Sequence, residues 1–63
     1  GGIKPECVLS GHDVNIFNLT GIAERTMREH GLAGTAEKMK DLVFSSGSYT
    51  KALSIIGEYV SIV

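Results

Sequence analysis

The sequence predicts a small all-α domain of three helices behind an extended lead-in. Apolar residues recur at a helical period in three stretches, each stretch opens after a capping residue, and a Gly- or Ser-rich turn separates each from the next. The alternative is an α+β arrangement in which short N- and C-terminal strands pair. Residues 1–9 carry Pro5 and no helical period, which reads as an extended segment with strand potential. Ser10-Gly11-His12-Asp13 then stops the chain and offers Asp13 as a cap, its carboxylate suited to the positive end of a helix. The first helix is expected to run from there to about residue 30. At 100° per residue its apolar stripe is Ile16, Leu19, Ala23, Met27 and His30, with Phe17 and Ile22 flanking it and Asn18, Arg25, Arg28 and Glu29 opposite.

Gly31 suits a left-handed helix terminator, and Gly34-Thr35 reads as a turn with Thr35 capping a helix over 36–44. That short helix turns Met39, Leu42 and Val43 inward and Glu37, Lys38 and Asp41 to water. Ser45-Ser46-Gly47-Ser48 breaks the chain again, with Ser48 as the next cap. From Tyr49 onward, Ala52, Leu53, Ile55, Ile56, Tyr59, Val60, Ile62 and Val63 cover about half the circumference of a third helix. Such an arc exceeds one two-helix contact, so this helix is either central to the bundle or turned in part toward another chain. The β-branched and aromatic run from Tyr59 favours a short strand as the alternative, with the Cys7-Val8-Leu9 segment as its natural partner. The expected core is Ile16, Leu19, Ala23, Met27, Met39, Leu42, Val43, Leu53, Ile56 and Val60.

Sixty-three residues make one domain, 1–63, and leave little surplus stability for a deep cleft. Lone Cys7 cannot close an internal disulfide and no Cys/His spacing suits zinc, so association with another chain is the remaining way to gain stability. A mean hydropathy of +0.14 with 21% charged residues argues against a disordered tail. Six Lys and Arg against seven Asp and Glu give a formal charge of −1, without the basic field that phosphate backbones select. No apolar run reaches the ~20 residues of a membrane span and no leader-like pattern opens the chain, so a cytoplasmic location is expected. On that reading the Asn18-Leu19-Thr20 sequon is a coincidence.

Gly11, Asp13, Asn15, Phe17, Gly21, Gly31, Ser46, Gly47, Tyr49 and Leu53 form a spaced pattern across most of the chain. The pattern resembles a group of small bacterial and phage or plasmid proteins to which no activity is attached. Where that group often carries Asp beside the Tyr, this chain has Ser48 and Thr50; caps survive the exchange, but two carboxylates are lost. The resemblance implies a shared fold unit and brings no cofactor, ligand or reaction.

Nucleophile and ligand candidates are Cys7, Ser10, His12, Asp13 and His30. None has the i,i+4 or Cys-x-x-Cys spacing that forces metal ligands together, and the simple readings are an apolar Cys7, a solvated His12 and a packed or capping His30. No catalytic residue, metal or cofactor is therefore expected. Gly21 inside the first helix points to a close crossing by another helix. The turn Ser46, Gly47 and Ser48 is a weak candidate for holding an anion, though it lacks the ending of a phosphate loop and capping suffices to explain it.

The functional expectation is a non-enzymatic interaction module that self-associates, as a dimer first, and binds a protein partner or sequesters a small ligand. Ile55, Tyr59 and Ile62 on the third helix are the expected interface. The rival is a helix-turn-helix regulator built from the second and third helices. It is disfavoured because Ser48, Tyr49, Thr50 and Lys51 bring one basic side chain to the recognition position, and the other cations alternate with acids. No membrane association is expected.

Overall fold

A computed structural model describes residues 4–7 and 15–62, with Cys7 described in its backbone alone. Three helices follow a short strand: β1 (Glu6–Cys7), α1 (Ile16–Glu29), α2 (Ala33–Phe44), α3 (Tyr49–Tyr59) and a closing strand β2 (Ser61–Ile62). The three-helix prediction holds. The strand pairing that was its alternative is present too, as an addition to the helices: β1 and β2 run parallel, Glu6 opposite Ser61 and Cys7 opposite Ile62, with the Ser61 amide donating to Pro5 O at 2.8 Å.

Helix α1 begins later than the Asp13 cap implies. Asn15 is its N-cap, its side-chain oxygen accepting from the Phe17 amide at 2.8 Å, while Asp13 lies outside the described residues. The helix ends in a Schellman reversal: Leu32 N–H donates to Met27 O at 2.8 Å and Gly31 N–H to Arg28 O at 3.1 Å. Gly31 takes φ +76°, which a side chain would strain. This reversal is so tight that α2 starts at Ala33 rather than at residue 36. Leu32 is its N-cap by position and makes no side-chain cap bond, packing instead against the core; Gly34 and Thr35 are already helical. Ser48 caps α3 as expected, its Oγ accepting from the Lys51 amide at 3.1 Å. Helix α3 stops at Tyr59, and Val60 is extended at φ −132°, carrying the chain into β2.

Antiparallel α1 and α2 form a hairpin, and α3 packs along α2 and less extensively on α1. The buried core is Leu19, Ala23 and Met27 from α1, Ala36, Met39 and Val43 from α2, Ala52 and Ile56 from α3, and Val60. Seven of these nine were expected. Ile16 and Leu53 sit partly buried at its edge, and Leu42, expected inside, is 47% exposed. Ala36, Met39 and Val43 define the inward arc, and Leu42 projects about 60° outside it at 100° per residue. Among the described residues Thr20 is the buried polar one, and its hydroxyl donates to Ile16 O one turn back.

Outside the α1–α2 seam, Glu24 Oε2 receives Arg28 and Lys40 at 2.9 and 3.1 Å, and Glu37 Oε2 receives the same two cations at 2.9 and 3.1 Å. Lys40 first, then Arg28, holds the Glu24 carboxyl below its ordinary value of 4.5 by hydrogen bonding. Glu24 in turn raises both Lys40 and Arg28. The network links the second half of α1 to the first half of α2 across the hairpin.

Two outcomes follow from this packing. Because the site of a Cβ on Gly21 has nothing within 4 Å, Gly21→Ala should stabilise the fold by about 0.5–1 kcal/mol, whereas Ile56→Ala should destabilise it by roughly 2–5 kcal/mol; chemical denaturation measures both. Replacing Glu24 by Gln should lower the melting temperature at neutral pH. Glu24 has a depressed folded pKa, so its contribution is full above 4.5 and disappears as pH falls through that depressed value. The melting curves of wild type and E24Q should therefore converge at acid pH, and also in high salt.

Candidate interaction groove

Three exposed aromatic side chains gather where α1 begins, α2 ends and α3 begins. Phe17 is 68% exposed, Phe44 58% and Tyr49 45%. Each has a local reason to be there. Phe17 lies about 100° off the inward stripe of α1, and Phe44 about 80° off the inward arc of α2, both at 100° per residue. Antiparallel pairing then brings the two off-stripe rings face to face, with centroids 5.9 Å apart and planes inclined by 28°. Tyr49 opens α3 immediately after the Ser48 cap, on the far side of the α2–α3 turn.

Between these rings lies an open groove of ≈270 Å³. Its walls are the three aromatics and the turn residues Ser46, Gly47 and Ser48; Ile16, Val43 and Ala52 form its base. None of the lining residues is charged. The turn is locally fixed: Ser46 Oγ donates to Val43 O at 2.7 Å, Ser45 Oγ to Asp41 O at 2.8 Å, and Gly47 adopts φ +82°. Ser48 Oγ accepts the Lys51 amide, so its hydroxyl proton remains to be donated outward.

Sequence reasoning singled out Ser46, Gly47 and Ser48, and they line this groove. It missed the aromatics, although two Phe residues off the apolar stripes of successive helices were a legible signal. The expected interface divides: Ile55 and Tyr59 are partly buried against the chain's own core, while Ile62 is 36% exposed in β2. The broad arc of α3 thus reflects packing on two helices and continuation into the ladder. Gly21 makes no close crossing within the chain.

The chemical candidates do not assemble among the described residues. Ser10, His12 and Asp13 lie outside them, as does the Cys7 side chain. His30 is exposed rather than packed on the stripe; it terminates α1, with Nδ1 2.8 Å from Thr26 O. No group of three or more His, Cys, Asp or Glu among the described residues is placed to hold a metal ion. No helix of the described residues is long and apolar enough to cross a membrane. No protein-family model matches the chain, and neither a curated protein nor a solved structure does.

Ser48→Ala should cost about 1 kcal/mol through loss of the α3 cap, read by urea denaturation, with no compensating side-chain partner for the Lys51 amide.

Proposed function

We propose that this chain is a non-enzymatic interaction module that docks a partner protein through the groove between Phe17, Phe44 and Tyr49. The observation that carries the reading is the exposed Phe17–Phe44 stack beside an uncharged groove. Scattered exposed hydrophobics need no explanation, but contiguous aromatic surface on a small domain marks a contact site. Aromatic side chains are also the residues that most often dominate binding energy.

The self-association inferred from α3 is a weaker form of the same reading, since Ile55 and Tyr59 already serve the chain's own core. The helix-turn-helix reading finds little support in the charges. Arg28 and Lys40 are engaged with Glu24 and Glu37, Lys4 Nζ donates to Gly57 O at 2.8 Å, and Lys51 is the one cation in the first turn of α3.

Because Phe17 and Phe44 are exposed, the double variant F17S/F44S should remain folded, losing about 0.5–1.5 kcal/mol from the aromatic pair. A partner retained by the immobilised wild-type chain from its native extract should be lost on the variant; identical retention by both would sink the groove as the docking surface. A gel shift at low ionic strength, where phosphate contacts are strongest, is expected to stay blank.

A further inference from the structure

We draw no further inference here: the strongest candidate, the aromatic groove where α1 begins, α2 ends and α3 begins, belongs to the site already described, and nothing in the structure shows what covers it.

Discussion

Everything in this molecule hangs on the reversal at Gly31. A chain this short has to bury its apolar surface early and locally, and the Schellman turn folds α1 back onto α2 with three intervening residues. Once that hairpin is set, Ala23 and Ala36 let the helices approach while Leu19, Met27 and Met39 fill the seam between them. Ile56 and Val60 then close it from α3 and its end. The core consists almost wholly of small residues alternating with flexible or branched ones, and no aromatic ring is needed inside.

That economy decides what is left for the surface. Antiparallel helices place the start of α1 beside the end of α2, and the end of α1 beside the start of α2. The same outward face therefore carries the Phe17–Phe44 stack at one end and the Glu24–Arg28–Glu37–Lys40 network at the other. At the charged end the side chains pair with one another across the hairpin. At the aromatic end the side chains stay open, and the turn that must follow Phe44 places polar hydroxyls beside them.

The helix count, the Gly31 terminator, the Ser48 cap and most of the core were legible because they follow from periodicity and turn chemistry alone. The start of α2 was not. Thr35 is an attractive cap in sequence, but the tight reversal at Gly31 and the packing of Leu32 had already begun the helix at Ala33, so Gly34 and Thr35 are helical rather than a turn. Leu42 was placed inside because it neighbours Met39 and Val43 on the wheel, whereas burial of Ala36 centres the inward arc on the other side of Met39. The aromatic groove is a property of more than one helix at once, so reading each helix alone left Phe17 as a flanking residue and gave Phe44 no role. Likewise the width of the α3 arc looked like a spare face until Ile55 and Tyr59 were seen against the core.

Folding by itself gives an incomplete account of the two phenylalanines. Their mutual stacking is worth about 0.5–1.5 kcal/mol, so it accounts for one face of each ring. Yet after stacking, more than half of each residue's surface still meets water. A stabilising clamp between helix ends needs no such exposure, because Leu or Met at either position could lean inward over Ile16 and Val43. Rigid rings held on helix ends, with two side-chain torsions each, instead present a surface that loses little entropy on binding. The turn between α2 and α3, fixed by Ser45, Ser46 and Gly47, holds Tyr49 opposite them with the same rigidity. An uncharged surface with three exposed aromatic rings is what this arrangement of helix ends produces, and the docking role proposed for the chain rests on it.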